Sequence, residues 1–258
     1  MARRYLFRIF RFDPEKDQQP YFQNYFYDEE KPKVILEALM DIRNEQDATL
    51  AFRYSCREAV CGSCGMVING QFELACRTRL NSLGTDTIIL EPLPNLPVLK
   101  DLVVDMEPFF QALEAIKPYV MAEEEVKGAA AEEGREESLW LSSPGYRIEE
   151  KQMEAIEPLT NCILCGCCFS ACPVVARDER YLGPIALAKL YRYICDPRDR
   201  RSFEDWQHVG HSSGLWGCDT VFRCNEVCPR QVNPAHALLA LRRRYVWEKI
   251  KQIFRKPK

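Results

Sequence analysis

Residues 161–173 read NCILCGCCFSACP, and within them Cys162, Cys165, Cys168 and Cys172, followed by Pro173, make a C-x2-C-x2-C-x3-C-P run. In bacterial ferredoxins the first three thiolates of this run hold one [4Fe–4S] cluster and the fourth ligates a neighbouring cluster. A second run must therefore exist, and residues 218–229, CDTVFRCNEVCP, supply Cys218, Cys224, Cys228 and Pro229. By the crossing rule Cys228 completes the [4Fe–4S] set of Cys162, Cys165 and Cys168. Cys172, Cys218 and Cys224 remain for the other cluster. Its fourth corner falls on Val221, so three thiolates and an apolar residue predict [3Fe–4S]. The alternative is a [4Fe–4S] centre with a non-cysteine ligand, for which Asp219 is the obvious candidate. Cys167 reads as a packed extra thiol.

Upstream, Cys56, Cys61, Cys64 and Cys76 are spaced C-x4-C-x2-C-x11-C. Soft thiolates suit iron–sulfur clusters and zinc. The x4 step fits zinc poorly and matches the plant-type [2Fe–2S] spacing. Such a loop must wrap closely round the irons with its N–H groups facing sulfur, and Gly62 and Gly65 permit that because they lack a Cβ.

Thirteen cysteines in 258 residues cannot all pair within one chain, and only Cys195 lies outside the clustered groups. The start MARRYLFRIFRFDPEK has no apolar core of a secretory signal, which leads us to expect a reducing compartment. A hydrophobic content of 47% and a net charge of −3 exclude a disordered chain and argue against a basic nucleic-acid binder. Residues 158–176 lack charge but carry five cysteines, so they are not read as a membrane span.

Residues 5–12 and 21–27 read as strands, 33–46 as a helix, and 87–90 as a further strand. Asn69-Gly70 between apolar runs signals a tight hairpin. Residues 121–137 hold seven Glu against Lys127 and Arg135 and read as a solvated connector. Helices are expected over 178–194 and 234–254; the latter leads into a basic tail with Arg242, Arg243, Arg244, Lys249, Lys251, Arg255, Lys256 and Lys258. The expected division is a [2Fe–2S] domain at 1–106, a connector at 107–150 and a helical two-cluster domain at 151–258. The fold class is α+β. No histidine among His208, His211 and His236 shows ligand spacing, and no catalytic triad or phosphate loop is present.

SCREAVCGSCGM with Cys76, NCILCGCCFSACP and CDTVFRCNEVCP, in this order, resemble the iron–sulfur subunit of succinate dehydrogenase and fumarate reductase, the respiratory complex II. The resemblance implies a β-grasp [2Fe–2S] domain before a helical [4Fe–4S]/[3Fe–4S] domain. It implies a flavoprotein partner with FAD that interconverts succinate and fumarate. It further implies a membrane anchor, often with haem b, and a quinone near the [3Fe–4S] end. The expected subunit is peripheral, on the cytoplasmic face of the membrane, with no span of its own. Its expected quinone-facing residues are Pro173, Trp216, Asp219 and Thr220. Two positions depart from the family: PVVARDERYLGP lacks a tryptophan after the Cys-Pro, and Asp219 stands where a histidine is frequent. Trp216 resembles the fumarate-reductase side. Rival readings are a quinol:fumarate reductase running in reverse, a free soluble multi-cluster carrier, and a zinc-binding interaction module.

Overall fold

The computed structural model describes residues 3–121 and 148–254. All of the acidic connector beyond Met121, and the tail residues Arg255, Lys256 and Lys258, lie outside the described residues.

Strand β1 (Arg3–Arg11) pairs antiparallel with β2 (Tyr21–Glu29), from Arg3↔Glu29 to Arg11↔Tyr21. Their period-two pattern sends Tyr5, Phe7 and Ile9, with Tyr25 and Tyr27, to one buried face. Helix α1 (Ile35–Glu45) covers that face with Ile35, Leu36, Ala38, Leu39 and Ile42. Strands β3 (Gly65–Ile68) and β4 (Gln71–Leu74) form the expected hairpin. Asn69 and Gly70 both take positive φ, 48° and 75°, as a tight two-residue hairpin turn requires. Strand β5 (Thr87–Glu91) runs parallel to β1 and antiparallel to β3. The sheet order is β2-β1-β5-β3-β4, a mixed sheet crossed by one helix as in a β-grasp.

Arg11 at the end of β1 is only 5% exposed. Its guanidinium donates to Asp101 at 3.0 Å, Gln23 at 2.8 Å and Thr49 at 2.8 Å, and also to Asp47 and Tyr25. Asp101 in turn accepts from the amides of Phe12 and Ala51. A buried charge survives only when paired this fully, and the network ties the end of β1 to the segment that leaves the sheet.

That segment changes allegiance early. Leu93 and Leu96, then Val104 beside the short ribbon β6 (Val98–Lys100)/β7 (Val103–Val104), pack into a second core. Helix α2 (Glu107–Glu114) adds Phe109 and Leu113 to it. So the first residues of the expected connector are helical and packed. The second core is completed by α3 (Glu150–Thr160), α4 (Cys167–Ser170), α5 (Pro173–Arg177), α6 (Gly183–Cys195), α7 (Phe203–Trp206), α8 (Arg223–Glu226) and α9 (Pro234–Phe254).

The helix expected over 178–194 begins instead at Gly183. Asp178 holds residues 178–182 in a turn, accepting from the Arg180 amide at 3.0 Å and the Ser213 hydroxyl at 2.6 Å. Gly183 has φ 78°, and a Cβ there would lie 2.6 Å from the Phe169 ring, so the chain bends sharply before Pro184 opens the helix. Among the described residues no helix is long and apolar enough to cross a membrane.

Candidate metal centres

The loop from Cys56 to Cys64 wraps on itself and leads directly into β3. Arg57, Ala59 and Gly62 all take positive φ, which turns successive amides inward. The amides of Glu58, Val60 and Cys61 donate to Cys56 Sγ at 3.4, 3.3 and 3.2 Å. The Ala59 amide donates to Cys76 Sγ at 3.2 Å and the Cys56 amide to Cys61 Sγ at 3.5 Å. An array of N–H groups aimed at sulfur stabilises thiolate over thiol. Burial works against Cys61, yet bonds from Ser63 and the Cys56 amide bring it down to about 6. Cys64, deeper, is pushed by burial to about 12. Such a thiol ionises only with a metal's help, and its proton leaves when metal binds.

The second region is built as an internal repeat. Loop 162–166 leads into the single turn α4, and loop 218–222 leads into the single turn α8. Leu164 and Thr220 match at φ 54° and 59°, and Gly166 and Phe222 at 82° and 59°. The Leu164 amide donates to Cys162 Sγ at 3.5 Å and the Thr220 amide to Cys218 Sγ at 3.3 Å. In this register Cys168 matches Cys224, Cys172 matches Cys228, and Cys165 matches Val221.

Cys162, Cys165, Cys168 and Cys228 line one cavity, walled by Phe109 and Ile185. Burial raises Cys162 and holds Cys168 well above the usual thiol range, with the charges of the other thiols adding to it. Cys172, Cys218 and Cys224 form the other group: burial, with the charges of Cys172 and Cys218 adding to it, pushes Cys224 up to about 12. Cys167 is fully buried beside the first of these groups. A hydrogen bond with Cys165 raises Cys167 and lowers Cys165, so Cys167 keeps its proton and donates. Cys195 lies apart on α6, beside Tyr191.

Around Cys172 and Cys218 the surface opens. Pro173, Trp216, Asp219 and Val221 are exposed there, and Thr220 is half-buried. Asp219 is ion-paired with Arg177 at 2.9 Å. His208 bonds the Ala115 carbonyl at 2.9 Å and His236 bonds the Asn225 amide group at 3.0 Å, both structural contacts.

The fit to clusters is tested by what surrounds the thiols. Among the described residues no three His, Cys, Asp or Glu side chains converge as a single metal ion needs. A cluster is a larger body that spreads its ligands over several irons, and the cavity and the sulfur-facing amides suit it. Tyr181 adds a further sign: it is 2% exposed and its hydroxyl has no hydrogen-bond partner among the described residues. Burial raises this phenol far above its usual range, and Cys218, Cys172 and Cys224 act on it next. A buried donor without an acceptor costs about 1–3 kcal/mol; cluster sulfur at the three-cysteine site would satisfy it. Reasoning from sequence alone missed Tyr181 and Arg177 and read Arg242 only as part of a basic tail, whereas it bonds the Leu215 and Cys218 carbonyls and Thr220.

The first two groups touch. A Cβ on Gly62 would lie 2.5 Å from the Ile163 carbonyl and 2.9 Å from Cys165 Cα. Arg77, next to Cys76, donates to the Pro229 carbonyl at 3.0 Å. The first thiol group thus meets the second, and the charge of Cys224 in the third acts on Cys168 in the second.

Comparison with known proteins agrees with this layout. Residues 6–111 match the model of a 2Fe-2S iron-sulfur cluster binding domain, and 158–232 match that of a 4Fe-4S dicluster domain. The chain is 37% identical over 231 residues to a fumarate reductase iron-sulfur subunit of Haemophilus influenzae, covering 89% of this chain and 88% of the relative. It is 37% identical over 239 residues to a succinate dehydrogenase iron-sulfur subunit of Coxiella burnetii, covering 92% and 94%. A chain of the Mycobacterium smegmatis Sdh1 complex in the apo form shares the fold, with TM-score 0.81 at 23% identity over 97% of this chain and 98% of that one. With cluster-type loops in the predicted order and relatives matched almost end to end, the chain belongs to the family of succinate dehydrogenase and fumarate reductase iron–sulfur subunits.

Proposed function

We propose that this subunit relays electrons from the FAD of a flavoprotein partner to a membrane quinone, in the direction of succinate oxidation. Cys56, Cys61, Cys64 and Cys76 hold [2Fe–2S]; Cys162, Cys165, Cys168 and Cys228 hold [4Fe–4S]; Cys172, Cys218 and Cys224 hold [3Fe–4S]. The sequence division at 1–106, 107–150 and 151–258 keeps its order, with the segment from Leu93 to Ile116 packed into the second core. The partners are the flavoprotein and a membrane anchor, and the subunit lies peripherally on the cytoplasmic face. Pro173, Trp216, Asp219 and Thr220 face the quinone.

The observation that carries this reading is that the first thiol group meets the second and the second is coupled to the third, with an exposed loop at the first and at the third. The first loop exposes Arg57, Glu58 and Val60, and the third group is rimmed by exposed Pro173, Trp216, Asp219 and Val221. When bound, the clusters supply one-electron steps that divide the two-electron change of a flavin. The chain's own residues hold the thiolates, point amides at sulfur and exclude water from the middle group. The rim offers an apolar wall and a carboxylate–guanidinium pair to a ring with carbonyls.

The test is purification of the assembled complex. About nine irons per chain, three distinct EPR signals and quinone-dependent succinate oxidation are expected. Isolation as a stable partner-free monomer, or fumarate reduction that outpaces succinate oxidation with low- and high-potential quinones alike, would overturn the reading.

Tyr181→Phe offers a second check. With the cluster present, loss of the donor is expected to lower the midpoint potential of the three-iron signal, because hydrogen bonds to sulfur favour the reduced, more negative state. Redox-monitored EPR reads the outcome, and an unshifted midpoint would show that the hydroxyl does not reach the cluster.

A further inference from the structure

Arg242 lies on α9 between the core residues Leu241 and Tyr245, half-buried and turned toward the loop that carries Cys218. Each of its nitrogens has a separate acceptor. Nε donates to the Leu215 carbonyl at 3.0 Å, Nη2 to the Cys218 carbonyl at 2.7 Å, and Nη1 to Thr220 Oγ1 at 3.3 Å. Its guanidinium also lies 5.6 Å from the centre of the Trp216 ring, which is 44% exposed. Tyr245 backs the same ring edge-on at 6.0 Å. Arg242 has no carboxylate partner among the described residues; the nearby Asp219 is paired with Arg177 instead. The neighbours Arg243 and Arg244 are exposed, and Arg244 is paired with Glu248.

Three backbone or hydroxyl oxygens over six consecutive residues meet one planar fork. That geometry suits a guanidinium and cannot be reproduced by the compact ammonium of lysine. The loop otherwise leans on a left-handed Thr220 at φ 59°, a conformation that holds only if its surroundings fix it.

We propose that Arg242 is a positioning residue of the electron exit: it fixes the Cys218 loop, aims Trp216 at the exposed rim and sets a permanent positive charge beside the terminal centre. This inference rests on the reading that Cys172, Cys218 and Cys224 hold the terminal cluster. The fork acts on loop geometry and the charge acts on potential, so the two roles separate on substitution.

Arg242→Gln and Arg242→Lys, each in the assembled complex, test it by redox-monitored EPR and quinone kinetics. Arg242→Gln is expected to lower the midpoint potential of the three-iron signal, broaden its line and raise the quinone KM about tenfold, the scale of one lost charge-assisted hydrogen bond. Arg242→Lys is expected to restore the potential but not the line width or the KM. Wild-type potential and KM in Arg242→Gln would overturn the proposal, as would full rescue of KM by lysine. Should the glutamine variant fail to assemble, the split between potential and KM in the lysine variant decides alone. A wild-type complex with no three-iron signal would instead overturn the ligand reading, whatever the variants do.

Discussion

Gly62→Ala is expected to lower the stability of the loaded chain by about 2–5 kcal/mol and to slow electron passage from the first centre to the second. Two costs add. Gly62 has φ 74°, a left-handed conformation that costs an L-residue about 1–2 kcal/mol. The new Cβ would also meet the Ile163 carbonyl at 2.5 Å and Cys165 Cα at 2.9 Å. Both are backbone, so no flexible side-chain end can yield, and overpacking of this kind costs about 1–3 kcal/mol. The loops must part, and on the ligand reading proposed above they serve successive centres. Gly84→Ala is the control: its φ is 67°, but nothing lies within 4 Å of its Cβ position. That variant carries only the conformational cost. The measurements are thermal melting and freeze-quench EPR of the complex after mixing with succinate. Equal effects from the two glycines would show that the junction between loops plays no part. A protein of this size melts about 2–4 °C lower per kcal/mol, so the two variants separate clearly.

The sequence made some of this plain and hid the rest, for identifiable reasons. The hairpin at Asn69-Gly70 and the strands of β1 and β2 are local signals, an enforced turn and a period-two pattern, and both are present. Helix α9, Pro234–Phe254, matches its expected span because its apolar spacing runs for several turns. Helix α6 starts five residues later than the expected span, and Gly183-Pro184 holds the signal for it, a proline in the first turn. Leu93 and Leu96 gave no pattern: they sit among Pro92, Pro94 and Pro97, and their burial is decided by helices far along the chain. Helices α4 and α8 are single turns, too short for periodicity to register. The cysteine spacings grouped the thiols because ligands of one centre constrain sequence distance directly, and the structure does bring Cys162, Cys165, Cys168 and Cys228 to one cavity. Tyr181 and Arg242 reach their loops through tertiary packing, which no local pattern encodes. Tyr181 stands in the polar run RDERY yet is buried against Gly217, where a Cβ would come within 2.9 Å of its ring.

Val221→Cys should convert the terminal centre from three irons to four. The argument comes from the internal repeat rather than from a count of cysteines. Loops 162–166 and 218–222 share left-handed residues at the third and fifth positions and the same amide-to-sulfur bond at the third. A thiol placed at 221 therefore inherits the backbone setting of Cys165. The loop has room for it: Val221 is 53% exposed and replacing it with the smaller cysteine creates no cavity in the core. The repeat is also imperfect in a telling place. Phe222 holds at φ 59° the position that Gly166 fills at 82°, a strain of about 1–3 kcal/mol retained where the matching thiolate is absent. A fourth thiolate and a fourth iron change both ligation and charge, and these are among the terms that set potential. The midpoint of the terminal centre is expected to fall by on the order of 100 mV, where 59 mV is tenfold in a one-electron equilibrium constant. Electron delivery to quinone then becomes uphill, and quinone-dependent succinate oxidation should drop at least about tenfold while the first two EPR signals stay unchanged. Iron analysis and EPR of the oxidised complex read the outcome directly. Persistence of the oxidised three-iron signal at full intensity in Val221→Cys would mean that position 221 does not face the missing corner, and that Asp219, or no residue of this loop, stands there instead.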